Sequence, residues 1–370
     1  MTSEFLSRVP GQNKSIEILE KFIDSENIPH SLLFVGPSGI GKFFTAVQFA
    51  KELNCGENSK PSIKKKISSL EEPYVKYVFP LPRGKNETSD DSPTAKLSED
   101  ALEQILGQLK LKRSNPYHKL HIDKANNIKI SSIRDIKKFL SLNYDDIKYR
   151  LVVIDDAHLM NDEAQNALLK SLEEPPAGVV FILCTDNENL LLPTIKSRSW
   201  RIPFSPQDDS TLTEILTTYF SLKNDSAKKI SLFSDGTVDN AVNLLENDFD
   251  ILIEKSINIL RYSLGKRYNS AFKEIESIYS DNNPRSLQLL IQIIIKWFSD
   301  TVRDKVGLEK VYFEKYSDTI EKFNSKFIDT DVYAIQNRLD SLKSLFNRNI
   351  NLNLIIANII FEIGYTGIRK

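Results

Sequence analysis

LVVIDDAHLMNDEAQNALLKSLEEPPAGVVFILCTDNENLLLPTIKSRSWRIPF, residues 151–204, is the stretch on which the reading of this chain turns. It begins with LVVID, a β-branched run that closes on Asp155 and is followed at once by Asp156. Such a run suits a parallel strand buried on both faces, with its carboxylates at the C-terminal edge, where open α/β sheets bind ligands. Asn161 can cap the next helix, Ala164, Ala167, Leu168 and Leu172 repeat at helical spacing, and Pro175 and Pro176 stop it. VVFILCT (179–185) reads as a second strand ending in the polar Thr185. Strand, helix and strand within this span predict a βαβ unit with a right-handed crossover.

Upstream, residues 11–24 carry apolar positions at helical spacing, and IPHSLLFVGPSGIGK passes from a strand (32–35) into a glycine-rich turn. Gly36, Pro37, Ser38, Gly39, Ile40, Gly41 and Lys42 fill seven positions of G-x-x-x-x-G-K-[ST]. The glycines let backbone amides wrap a phosphate at a helix N-terminus, and Lys42 supplies a point charge. At the eighth position stands Phe43, where a hydroxyl would hold Mg²⁺, and Thr45 falls on another side of the helix. A degenerate nucleotide site and a glycine turn kept for packing both remain open on these residues.

The chain has 370 residues, enough for two or three domains, with 49 Lys plus Arg against 50 Asp plus Glu. So even a balance gives no global footprint for nucleic acid, and any DNA contact must be local. The longest greasy run, 287–298, is too short to span a bilayer, and no membrane partner is expected. Two distant cysteines, Cys55 and Cys184, fit a reducing, cytoplasmic setting and cannot make a four-cysteine zinc site. Between 56 and 128 the pattern loosens into a KKK run (64–66), an apolar patch YVKYVFPLP (74–82), a breaker-rich RGKNETSDDSPT (83–94) that reads as a mobile loop, and a helix over 98–113. Residues 128–142 predict a short strand or turn, a serine cap at Ser131 or Ser132, and an amphipathic helix. From about 249 onward the chain is helical and carries no chemical motif.

DDAHLMNDEAQNALLKSLEEPP, Thr185, LLPTIKSRSWRI and the Ser197-Arg198-Ser199 triplet resemble the AAA+ clamp-loader family of bacterial replication, and within it most nearly the delta-prime branch. The resemblance implies an α/β plus all-α fold. A P-loop AAA+ parallel-sheet domain would occupy 1–205, with 56–128 inserted in place of a zinc module, followed by a helical lid (206–248) and a helical collar (249–370). It also implies a degenerate nucleotide site at Gly36, Pro37, Ser38, Gly39, Gly41, Lys42, Asp155, Asp156 and Thr185, with no metal, no zinc and no required cofactor; residual ATP or ADP binding stays open. Asp156 stands in place of the usual Glu, and Asp239 in place of an Arg expected after Gly236. By the same resemblance Arg198 is an arginine finger offered in trans; an arginine paired with a surface acid is the plainer reading of the same residue. The function so implied is a non-catalytic, stator-like component of the DNA polymerase III holoenzyme, working with gamma/tau and delta subunits, the sliding clamp and primer-template DNA. An active gamma/tau-type ATPase is the alternative, and a nucleotide-independent DNA-binding scaffold a third.

Overall fold

A computed structural model describes residues 3–56, 60–141, 146–278, 284–347 and 351–366, so that Leu142, the last residue of the helix expected over 128–142, lies outside the described residues. The chain divides into two compact units, one of residues 1–223 with 236–238, the other of 224–235 with 239–370.

The first unit is built on five parallel strands: β1 (Ser31–Val35), β2 (Val75–Val78), β3 (Arg150–Ile154), β4 (Val179–Thr185) and β5 (Trp200–Pro203), in the order β2-β3-β4-β1-β5. Among the described residues, eight α-helices belong to it: α1 (Asn13–Asp24), α2 (Lys42–Asn54), α3 (Pro61–Ser68), α4 (Glu99–Ser114), α5 (Ile130–Ser141), α6 (Asp162–Glu173), α7 (Pro193–Arg198) and α8 (Asp209–Phe220). Strands β1, β3 and β4 are buried at every position, as their unbroken apolar runs demand of a sheet covered on both faces. Val152, Ile154, Phe181 and Leu183 point to one face and pack with Ile133, Ile136 and Phe139 of α5 and Leu168 and Leu172 of α6. Asn161 caps α6 through the Ala164 N–H, as its side chain and position predict.

Three local readings are corrected. Residues 75–78 of the apolar patch are not loosely inserted: Val75 and Val78 are buried, and the segment pairs with β3 as the edge strand β2. The breaker-rich loop is pinned rather than loose. The buried Glu87 carboxylate accepts from the Gly84 N–H at 2.6 Å, from Lys129 Nζ at 2.8 Å and from Ser131 Oγ at 3.3 Å, and Lys129 Nζ also donates to the Pro93 carbonyl. Helix α5 already begins at Ile130, so Ser131 and Ser132 lie inside its first turn instead of capping it, and Ser131 Oγ donates to Glu87.

The second unit contains α9 (Asn224–Phe233), α10 (Val238–Glu246, whose first residue counts with the first unit), α11 (Phe249–Leu264), α12 (Tyr268–Ile278), α13 (Pro284–Lys305), α14 (Ser317–Lys326), α15 (Val332–Lys343) and α16 (Leu352–Gly364). Trp297 and Phe298 of α13 meet Phe323 of α14 edge-on, at 5.1 and 5.7 Å between centroids. The wholly buried Asp300 accepts the N–H groups of Val311, Tyr312 and Phe313 at 2.9, 2.8 and 2.7 Å, which anchors the connection after α13. Helix α16 buries Ile355, Ile356, Ile359, Ile360 and Ile363, while Leu354 and Phe361, and Tyr365 just past its end, stay exposed.

Candidate functional site

The C-terminal edge of the sheet gathers most of the residues singled out from sequence. The glycine loop follows β1, Asp155 and Asp156 follow β3, and Thr185 closes β4; the Gly36 N–H donates to the Thr185 carbonyl at 3.1 Å and the Asp155 N–H to that of Val78 at 2.9 Å. Gly39 and Gly41 take φ of 74° and 98°, the left-handed region where a side chain would be strained, so the loop turns tightly into the first residue of α2, Lys42. Lys42 is buried, and its Nζ donates to the carbonyls of Gly36 and Pro37, each at 2.6 Å. Burial pushes this ammonium below the usual lysine range, against the opposing pull of neighbours that include Asp155.

Phe43 directs its ring against Tyr77 of β2, at 4.8 Å between centroids. The hydroxyl that would replace it in function does not come from Thr45, which is wholly buried and donates back to the Gly41 carbonyl at 2.9 Å. Asp155 accepts a hydrogen bond from the Tyr77 hydroxyl at 2.8 Å, and Lys112 Nζ stands 3.9 Å from the same oxygen. Asp156, at φ 49°, has its carboxyl raised above the ordinary range by burial and then by the charge of Asp155. Thr185 Oγ1 accepts from the Asn187 N–H at 3.1 Å and lies 3.3 Å from His158 Nδ1, which in turn is 3.3 Å from Asp186.

Four residues of the site were not foreseen from sequence: Tyr77, Lys112, Tyr117 and Lys119. Lys119 Nζ donates to Ser38 Oγ at 3.0 Å, and the buried Tyr117 ring lies against Gly41, where an added Cβ would stand 3.3 Å from it. A lysine buried at the end of an amphipathic helix is the one signal that could have pointed here, and in LKLKR it is hidden among exposed basic neighbours. By contrast, two lysines of the KKK run on α3 meet aromatic side chains of the same unit: Lys64 lies over the Phe5 ring and Lys66 donates to the Tyr74 hydroxyl.

Arg198 is not part of this cluster. It ends α7 and precedes β5, so it lies at the opposite, N-terminal edge of the sheet, where Ser199 Oγ and Ser31 Oγ are 2.8 Å apart. Strand β1, five residues long, separates the two edges by roughly 16 Å. Its guanidinium donates to the Thr194 carbonyl at 3.1 Å and pairs with Glu173 at 2.8 Å, both side chains being partly exposed. Asp239 stands in the first turn of α10. Among the described residues no group of three His, Cys, Asp or Glu side chains could hold a metal ion, and no helix is long and apolar enough to cross a membrane.

A parallel sheet in this order, with a glycine loop after β1 and acids after β3, defines a P-loop domain of the AAA+ class. Residues 11–208 match the family described as DNA polymerase III, delta subunit, and the chain belongs to that family. Among its relatives, the DNA polymerase III subunit gamma of Buchnera aphidicola from Acyrthosiphon pisum is 22% identical, over 97% of this chain and 97% of that protein. The subunit tau of Bacillus subtilis is 23% identical over 77% of this chain but 45% of its own length, and the subunit gamma/tau of Mycobacterium bovis 27% over 57% and 30%. Of solved structures, a gamma subunit-related protein of Thermotoga maritima aligns with a TM-score of 0.43 at 17% identity over 94% of this chain and 99% of that one. A Thermotoga maritima RuvB mutant aligns with 0.40 at 16%, over 84% and 88%.

Proposed function

We propose that this chain is a non-hydrolysing, delta-prime-like subunit of a bacterial DNA polymerase III clamp loader, which offers Arg198 to ATP bound by a neighbouring gamma/tau-type subunit. Its partners would be gamma/tau and delta subunits, with the sliding clamp and primer-template DNA, in the cytoplasm. The observation that carries the reading is the separation of two fates within one sheet. At the C-terminal edge the elements needed in cis depart together, with Phe43 for a hydroxyl, Asp156 for a longer acid, and a lysine already spent on the carbonyls of Gly36 and Pro37. At the other edge Arg198 keeps a partly exposed guanidinium, too far away to serve the chain's own loop. A planar fork of donors suits the charge that builds on a transferred phosphoryl group, and in the best-studied GTPases such an arginine contributes about 10³ to 10⁵ in rate.

The test is Arg198→Ala in the complex reassembled with gamma/tau-type and delta subunits. Assembly is expected to survive, while DNA-stimulated ATP turnover and clamp loading fall; full turnover and loading by the assembled variant would refute the role. The names of the relatives, gamma and tau, favour a second reading in which the chain is itself an active ATPase. That reading requires phosphate release by the isolated chain well above a Lys42→Ala control.

A further inference from the structure

The AAA+ class implies a magnesium-bound nucleotide, and the side chains here do not fit one. Mg²⁺ takes hard oxygen ligands in near-octahedral geometry, in P-loop proteins a Ser or Thr hydroxyl and an acid at the end of a neighbouring strand. The hydroxyl position is Phe43, and Lys112 Nζ sits 4.3 Å above its ring. That ammonium is also 3.9 Å from the Asp155 carboxylate, which already accepts from Tyr77, and it donates to the His118 carbonyl at 2.7 Å. The Lys112 side chain is 7% exposed, so its charge is compensated by this carboxylate, this carbonyl and this aromatic face, with little help from water. A divalent cation brought to Asp155 would meet a fixed positive charge in a poorly screened place.

We infer that residues 112–119 of the insertion are an intramolecular replacement for the magnesium-bound nucleotide: Lys112 takes the place of the cation, and Tyr117 and Lys119 hold the glycine loop. Lys119 reaches Ser38, and Tyr117 covers Gly41 while stacking on Phe44 and Tyr219 at 5.7 and 5.3 Å. The segment therefore ties the end of α4 to the glycine loop, the first turn of α2 and the end of α8. The unit keeps one conformation at this edge whatever the nucleotide supply. This gives the insertion a role, and it deepens the reading of a subunit that does not hydrolyse ATP.

The experiment uses the full chain, with Mn²⁺ as a paramagnetic stand-in for Mg²⁺ and ATP at millimolar concentration, following bound Mn²⁺ by electron paramagnetic resonance. The wild-type chain is expected to show no ATP-dependent Mn²⁺ binding. Phe43→Thr, which restores the eighth position of the motif, should still show none, because Lys112 remains. Phe43→Thr combined with Lys112→Met should bind Mn²⁺-ATP at least about tenfold more tightly than either single variant, and Phe43→Thr with Lys112→Arg should not. ATP-dependent binding by the wild type, equal binding by Phe43→Thr alone, or none by a double variant with wild-type circular dichroism would each overturn the assignment. If the double variant does not fold, the wild-type and Phe43→Thr titrations decide it. The trans role is separable, since Arg198→Ala in the assembled complex tests it without reference to this edge.

Discussion

Arg198 and Glu173 form an ion pair in which both partners are partly exposed, the kind worth under about 1 kcal/mol because water and salt compete for each charge. A phosphate on a neighbouring chain can therefore exchange for Glu173 at small cost, and the pair does not count against a role in trans. Glu173→Ala should leave stability within about 0.5 kcal/mol of wild type by denaturant melts, whereas Arg198→Lys in the reassembled complex should recover little of the turnover lost in Arg198→Ala, because an ammonium lacks the planar fork. A lysine variant with full turnover would show that charge alone is sufficient. The positions of Lys42 and Asp155 at the C-terminal edge of the sheet were legible in the sequence because each lies at a fixed offset from a strand that announces itself, whereas Arg198 was singled out only by the resemblance of its triplet. Tyr77 and Lys119 were not, because their partners Asp155 and Ser38 are 78 and 81 positions away, and no local pattern encodes such contacts.

At the level of elements, the loop 83–94 shows why a string of turn formers need not be loose. One buried carboxylate, Glu87, collects a backbone N–H, a lysine and a serine, and Lys129 bridges it to Pro93. Burial alone would raise the Glu87 carboxyl; the hydrogen bonds from Lys129 and Gly84 outweigh it and hold it below the ordinary glutamate range. A group whose folded pKa is depressed contributes stability above its unfolded pKa, near 4.3 for Glu, and loses it as pH falls through the folded value. Amide exchange over 84–94 should accordingly accelerate as pH drops below about 4, once corrected for intrinsic rates, and Glu87→Gln should abolish that pH dependence. Glu87→Ala, which strands the Lys129 ammonium with one carbonyl, should cost about 2–3 kcal/mol in urea melts; a loss under 0.5 would mean the loop is held by something else. The strands buried on both faces could be read directly from LLFV, LVVI and VVFILCT. The edge strand β2 could not, since Lys76 and Tyr77 break the apolar run that marks its neighbours.

The molecule as a whole has two cores, and the second one is shared among helices distant in sequence. Helices α11, α12 and α16 pack on one another, and α13 packs on both α14 and α15. A chain truncated after Gly265 keeps α11, whose Ile257 and Leu260 are buried in the intact chain, but loses α12 and α16, which pack on it. We expect such a chain to fail to co-elute with gamma-type partners while Leu354, Phe361 and Tyr365 of the intact chain supply apolar contact surface. Undiminished co-elution would remove the second unit from assembly. For the isolated intact chain, phosphate release should be indistinguishable from that of Lys42→Ala, because Phe43 carries no hydroxyl and Asp156 is one methylene shorter than the Glu expected to orient the attacking water.

The two edges of the sheet also give the chain a direction. On the proposed reading, the chain reaches toward a neighbour's phosphate from the N-terminal edge and works no nucleotide at its own C-terminal edge, so it acts as a donor without being an acceptor. In any row of such subunits it can stand only where the row of working sites begins. Copies of it alone could never close into a ring of working sites, and adding a second copy would interrupt the series rather than lengthen it.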